Sequence, residues 1–149
     1  MCIRDSNYYF FKKDGKNTTV TNQLKFTVKL FGATIFEVES FGEEKYIEDK
    51  LISFNSKTRQ NKKDKYVQLK LNENENEYDI KGSSYTGSAS LENIIGNWWS
   101  HKILQTNSQI SPISGSIKEQ VVTFIGKEKI ELYGKTSVSY THLTLPTKA

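Results

Sequence analysis

Apolar and polar side chains alternate along most of this chain, and that alternation sets the fold class. In residues 20–30, Leu24, Phe26 and Val28 alternate with polar residues, which places the two sets on opposite faces of a strand. Similar short stretches follow, separated by polar turns, at the spacing of about 8–12 residues typical of all-β proteins. The pattern predicts a mainly β protein, a single curved antiparallel sheet or half-open barrel of about 8–10 strands.

One segment departs from the alternation. Ser90 is a good helix N-cap, and Gly96 limits the length of any helix that follows it. The sequence predicts a short helix over about residues 90–100 that closes the open side of the sheet. The apolar residues of this segment recur at i, i+3, i+4, i+7 and i+8: Leu91, Ile94, Ile95, Trp98 and Trp99.

The chain after this segment predicts an extended crossing and then a hairpin. The crossing covers residues 102–113. The hairpin strands cover residues 116–125 and 129–133, and Gly126 with Lys127 forms the turn between them.

Both ends of the chain read as translated sequencing adapter. Residues 1–6 can be encoded by ATG TGT ATA AGA GAC AG followed by a pyrimidine, and the reverse complement of that DNA encodes residues 138–142 in another frame. Segments of this kind are set aside in fold reasoning. We therefore expect non-native residues at 1–6 and 137–149, and a single truncated β-rich domain over residues 7–136 of a metagenomic gene fragment.

The residue inventory limits the available chemistry. Residues 7–136 contain no cysteine and one histidine, His101, so this region forms neither a disulfide nor a thiolate zinc site. The formal net charge is +4 at pH 7, but glutamates are interleaved with the lysines, whereas nucleic-acid-binding proteins usually cluster their basic residues. We expect no metal, no other cofactor and no nucleic-acid partner.

Several short motifs follow one another in a recognisable order: FTVKLFG at residues 26–32, KLIS at 50–53, NWWS at 97–100 and ILQTN at 103–107. This order resembles an exported bacterial family known as domain of unknown function 6134, over nearly all of residues 7–136. The NWWS stretch lacks the proline of the corresponding family motif. The resemblance implies an exported, β-rich, non-catalytic protein in the periplasm or another extracytoplasmic compartment, and it supplies no catalytic residues.

Ten apolar residues form a candidate ligand-binding surface on the concave side of the predicted sheet. A ligand carrier needs a cavity of about 300 Å³ or more lined by such side chains, whereas a filled interior indicates a structural role. The expected partner is a lipid or another apolar small molecule; membrane proximity and oligomeric state stay open. The ten residues are Phe26, Val28, Leu30, Phe36, Val38, Phe54, Leu69, Ile95, Trp98 and Trp99.

Other functions remain open beside this non-catalytic one. A hydrolytic enzyme would use His101 with a nearby carboxylate in a cleft. Trp98 or Trp99 could stack against a sugar ring, although a tryptophan in a small domain more often packs in the core. A further alternative is nucleic-acid binding through Tyr8, Tyr9 and the surrounding lysines, which steep salt dependence would reveal.

Overall fold

The computed structural model is dominated by one sheet of seven antiparallel strands, each paired with the next along the chain. The structure describes the backbone of residues 1–132 and 135–144 and the side chains of residues 1–123 and 126. The mainly β fold class is confirmed, and the sheet is not closed into a barrel. Its strands are β1 (Cys2–Asp14), β2 (Asn17–Leu30), β3 (Ala33–Ile47), β4 (Lys50–Gln60), β5 (Lys63–Asn72), β6 (Glu77–Gly82) and β7 (Thr86–Ser90).

Tight turns fix the register of the long strands. Positive φ angles occur at Phe31 and Gly32 between β2 and β3, and at Glu48 and Asp49 between β3 and β4. Paired residues with positive φ form the type I′ turn, whose twist matches that of the strands it joins. A slip of one residue would exchange the two faces of the sheet, so these turns preserve the alternation seen in the sequence.

One face of the sheet carries the hydrophobic core, and we call it the core-side face; the opposite one is the outer face. Residues 91–120 cross one end of the core-side face, and we call them the lid. The lid contains β8 (Ile94–Ile95), a 3₁₀ turn (His101–Leu104), β9 (Ser108–Ile110) and β10 (Ile117–Glu119). The core cluster consists of Leu51, Phe54, Val67, Leu69, Tyr78, Ile80, Ala89, Ile95 and Ile110.

The predicted helix over residues 90–100 is wrong. Ser90 ends β7, and Ile94 and Ile95 form a parallel ladder with β9. Gly96 and Asn97 disfavour a helix, and the chain turns at Gly96, where the Asn97 N–H donates to the Ile95 carbonyl oxygen at 2.8 Å, with both Ile95 and Asn97 buried. The 3₁₀ turn has four residues, and the described residues include no helix long and apolar enough to span a membrane.

The predicted turn of the last hairpin is also wrong. β11 (Val121–Leu132) continues through Gly126 and pairs with β12 (Lys135–Thr144), with a register shift between Thr123 and Lys127. A glycine within a strand often marks such a bulge. The segment before it, β10, pairs instead with β9 inside the lid.

Gly82 provides a test of how closely the lid lies on the sheet. A Cβ atom at Gly82 would lie 2.5 Å from the carbonyl oxygen of Ser114, in the lid. Because backbone cannot move aside as a flexible side chain can, Gly82→Ala is expected to lower the free energy of unfolding by about 1–3 kcal/mol, measured by urea denaturation. Gly126→Ala, where nothing lies within 4 Å, should change it by less than about 0.5 kcal/mol. Equal losses would contradict this account of the lid.

Candidate functional site

The ten predicted lining residues divide into a packed group and a partly accessible group. Phe54, Leu69 and Ile95 lie buried in the core cluster, where they hold the lid on the sheet, and Phe54 and Ile95 also border cavities beside the lid. Leu30 is exposed near the β2–β3 turn. The remaining predicted lining residues of β2 and β3 lie together with Leu24, which was not among the ten predicted lining residues. We call this group the apolar strip: Leu24, Phe26, Val28, Phe36 and Val38.

The apolar strip continues the core-side face beyond the core. Phe26 lies opposite Val38 and Val28 lies opposite Phe36 in the β2–β3 ladder. The rings of Phe26 and Phe36 meet edge to face, with centroids 5.9 Å apart. Val38 is buried, whereas both rings and Val28 stay partly accessible. Alternation in the sequence therefore identified the correct face of these strands.

The two tryptophans lie in opposite environments. Trp98 is 71% exposed, and its backbone N–H donates to the Tyr9 hydroxyl at 3.3 Å. Trp99 is half-buried and makes edge-to-face contacts with Phe11 and Tyr46, at centroid distances of 5.3 Å and 5.8 Å. The chain bends at both residues, and one tryptophan packs inward while the other faces solvent.

Glu44 anchors the lid to the sheet and was missed at the sequence level. Its side chain is only 5% exposed. Oε1 accepts a hydrogen bond from Asn97 Nδ2 at 2.8 Å, and Oε2 accepts from Trp99 Nε1 at 2.9 Å and from the Tyr46 hydroxyl at 3.1 Å. The detectable signal was its position in phase with Phe36 and Val38, whose side chains lie on the same face.

Burial and hydrogen bonding act in opposite directions on the pKa of the Glu44 carboxyl. Burial raises the pKa of Glu44, and the hydrogen bonds from Asn97, Trp99 and Tyr46 only partly offset that effect. Burial likewise raises the pKa of Tyr46, and the charge of Glu44 adds to it, so the phenol remains a donor. Asn97 Oδ1 is buried without a hydrogen-bond partner, which lowers the stability of the fold at this point.

Two cavities border the lid. A cavity of about 180 Å³ lies between the sheet and the lid, and its lining includes Leu24, Phe54 and Trp98. A larger cavity of about 420 Å³ lies near Asp49 and Lys102. Of the ten predicted lining residues, only Ile95 lines this cavity. The cavity that adjoins the apolar strip is thus smaller than the roughly 300 Å³ of a typical ligand pocket.

His101 is exposed at the start of the 3₁₀ turn. Among the residues that the structure describes, no carboxylate forms an ion pair or hydrogen bond with it, and no three His, Cys, Asp or Glu side chains are grouped as metal ligands. The Glu44 carboxylate, in contrast, is directed at lid residues. The arrangement therefore brings no acid–base pair to His101.

A third concavity, larger than the two cavities that border the lid, lies on the outer face, where no site was predicted. It is an open trough of about 1150 Å³. One row of residues crosses it over five strands, with each member opposite the next in the ladders. We call this row the aromatic row: Tyr8, Gln23, Phe41, Lys57 and Tyr66. The sequence signal was aromatic residues out of phase with the apolar positions of their strands, at Phe41 and Tyr66.

Comparison with known proteins identifies one family. A family model described as Domain of unknown function (DUF6134) matches residues 6–148. No curated protein and no solved structure matches the chain. The family match spans nearly the whole sequence, and it confirms the resemblance seen in the FTVKLFG, KLIS, NWWS and ILQTN motifs.

Proposed function

This chain belongs to the family of Domain of unknown function DUF6134, and we propose that it is a non-catalytic binding module of the bacterial envelope. Its ligand is a single-chain lipid or a similar amphipathic molecule, held on the core-side face beyond the lid. The observation that carries the proposal is the apolar strip, a run of accessible hydrophobic side chains continuous with the core. Apolar area left accessible beside a packed core marks a binding surface more often than scattered hydrophobic residues do.

The geometry near the lid suits a ligand with one polar end. Leu24 belongs to the strip and also lines the 180 Å³ cavity, so the two are continuous. Asn7, Tyr9 and Asn22 line the same cavity and form a hydrogen-bonded group, with Asn7 Nδ2 donating to the Tyr9 hydroxyl at 3.4 Å. A hydrocarbon chain would lie along the strip, with its headgroup at these polar side chains.

A non-catalytic role is supported by the surroundings of the one histidine in residues 7–136. His101 is exposed, and general acid–base catalysis requires an oriented partner within hydrogen-bond distance of the reacting group. The envelope location is supported by the exported character of the family that the motifs resemble. Fractionation of cells that express the full gene would test it, and a cytoplasmic product would contradict it.

Val28→Asn is expected to weaken binding of cis-parinaric acid, a fluorescent polyene fatty acid, by about tenfold, because an unpaired amide would lie against the hydrocarbon chain. Thr27→Asn is the matched control: the same side chain on the same strand, but directed to the outer face. It should leave the affinity unchanged.

Energy transfer from Trp98 to the bound probe shows whether the probe lies near the lid. Trp98→Phe should reduce the energy transfer without loss of binding.

Two outcomes would contradict this proposal. One is a parent protein that does not bind the probe. The other is an equal loss of affinity in Val28→Asn and Thr27→Asn, which would place the probe elsewhere. Native mass spectrometry offers an independent measurement, since a lipid-sized mass should accompany the parent and be depleted in Val28→Asn.

A further inference from the structure

The outer face carries the open trough, which is separate from the apolar strip on the opposite face. We propose that the trough binds a linear, uncharged β-linked polysaccharide, with the aromatic row as its stacking platform. Three observations lead to this assignment: the spacing of the aromatic rings, the polar side chains between them, and the presence of carboxylates among the basic residues of the trough.

The aromatic rings occur on alternate strands. Tyr8, Phe41 and Tyr66 lie on β1, β3 and β5, and they are 58%, 49% and 42% exposed. Neighbouring strands are about 4.8 Å apart, so successive rings are separated by roughly 10 Å. A flat β-linked glycan repeats every two sugar rings over a similar distance. Every second sugar could therefore place its C–H face on one of these side chains.

Polar side chains fill the positions between the rings. Gln23 and Lys57 occupy the aromatic row on the intervening strands, and Asn55 lies opposite Gln68 in the next row of the trough. Amides both donate and accept hydrogen bonds, as sugar hydroxyls require. A surface for hydrocarbon chains would not alternate amides with aromatic rings in this way.

The trough carries charges of both signs, with four basic side chains and two carboxylates in its lining. Lys25 Nζ lies 2.5 Å from Glu39 Oε1, and Arg59 lies opposite both Glu39 and Asp64 in the ladders. Nucleic-acid sites depend on unopposed basic residues, and carboxylates in the trough would repel phosphates. An uncharged polymer is compatible with charges of both signs, and the Arg59 guanidinium with its neighbouring carboxylates can hydrogen-bond to vicinal hydroxyls.

Native gel electrophoresis in the presence of hydroxyethylcellulose, a soluble β-1,4-linked glucan derivative, tests the proposal. The parent should be retarded, and isothermal titration with cellohexaose should show binding that is insensitive to salt. Tyr8→Ala, Phe41→Ala and Tyr66→Ala should each weaken binding by about tenfold, as expected for loss of one aromatic contact. Tyr66→Phe should retain it, because the ring remains.

Phe31→Ala is the matched control. Phe31 is an exposed aromatic residue at the β2–β3 turn, outside the trough, and its loss should leave the retardation unchanged. Urea denaturation of each variant separates a loss of contact from a loss of fold. An unretarded parent, or equal retardation of the three alanine variants and the parent, would overturn the proposal. So would binding to single-stranded DNA that weakens steeply with salt, which would assign the trough to nucleic acid.

Discussion

Trp99→Ala is expected to lower the free energy of unfolding by about 3 kcal/mol, near the lower end of the range for buried Phe or Trp to Ala replacements. The loss has two causes. The indole fills the space between Phe11 and Tyr46, and its Nε1 donates to a buried carboxylate oxygen of Glu44. Without Trp99, that space empties and Glu44 loses one of three donors, so the lid is held less tightly on β3.

The neighbouring tryptophan provides the control. Trp98 has the same chemistry but is 71% exposed, so Trp98→Ala should change the free energy of unfolding by less than about 1 kcal/mol. Urea titrations followed by far-UV circular dichroism give both values without dependence on tryptophan fluorescence. Equal effects of the two substitutions would show that Glu44 and Tyr46 do not hold the lid as described.

This pair of residues also shows what the sequence could predict. The predicted helix would separate the two tryptophans, because adjacent side chains on a helix diverge by about 100°. The separation is present, but a bent, non-helical backbone produces it. Leu91, Ile94, Ile95, Trp98 and Trp99 fit a helical stripe, and the period-two set of Ile95, Asn97 and Trp99 fits a strand equally well. Because Asn97 is polar, hydropathy alone favoured the helix.

The long strands were predictable because each position is confirmed by its neighbours. Leu24, Phe26 and Val28 alternate without interruption, and the turns that flank them contain residues suited to positive φ. The lid lacks such local repetition. Its conformation depends on contacts with distant residues, such as the bond from Asn97 to Glu44, 53 positions away. A single sequence does not show which distant residues form such pairs.

The same reason explains why neither Glu44 nor the trough was predicted. In the sequence, Glu44 interrupts an alternation of apolar and polar residues. Only the structure shows the three hydrogen-bond donors that allow its side chain to be buried. Tyr8, Phe41 and Tyr66 are separated by tens of residues, and only the strand register aligns them. Their alignment is a property of the whole sheet, since a shift of one residue in any strand would remove it.

The stability of the protein should fall as the pH rises from about 4.5 toward neutrality, through the titration of Glu44. Burial raises the pKa of Glu44 in the folded state above its ordinary value of 4.5. The folded protein therefore binds this proton more tightly than the unfolded chain does. Stability from this group is fully present below pH 4.5 and is lost as the pH rises through the folded-state pKa.

Another carboxylate acts in the opposite direction, so the comparison must isolate Glu44. The hydrogen bond and charge of Lys25 lower the pKa of Glu39 below its ordinary value of 4.5. The stability that Glu39 contributes is therefore present above pH 4.5 and is lost as the pH falls through the lowered pKa. The difference between the parent and Glu44→Gln cancels that contribution. Glutamine has a similar shape and keeps an oxygen for the Trp99 indole, while its amide group can pair with Asn97 Oδ1 once the Asn97 amide rotates.

Glu44→Gln should therefore match the parent near pH 4 and exceed its free energy of unfolding by about 1 kcal/mol at pH 8, the order expected for relieving one buried, incompletely satisfied polar group. Glu43→Gln is the control, because Glu43 is paired with Lys45 at 3.2 Å in an accessible position and such pairs contribute little. Its difference from the parent should vary by less than about 0.5 kcal/mol over the same range. If the difference in free energy of unfolding between Glu44→Gln and the parent did not change with pH, Glu44 would have the same pKa in the folded and the unfolded chain. Packing around Trp99 would then hold the lid without any contribution from a buried proton.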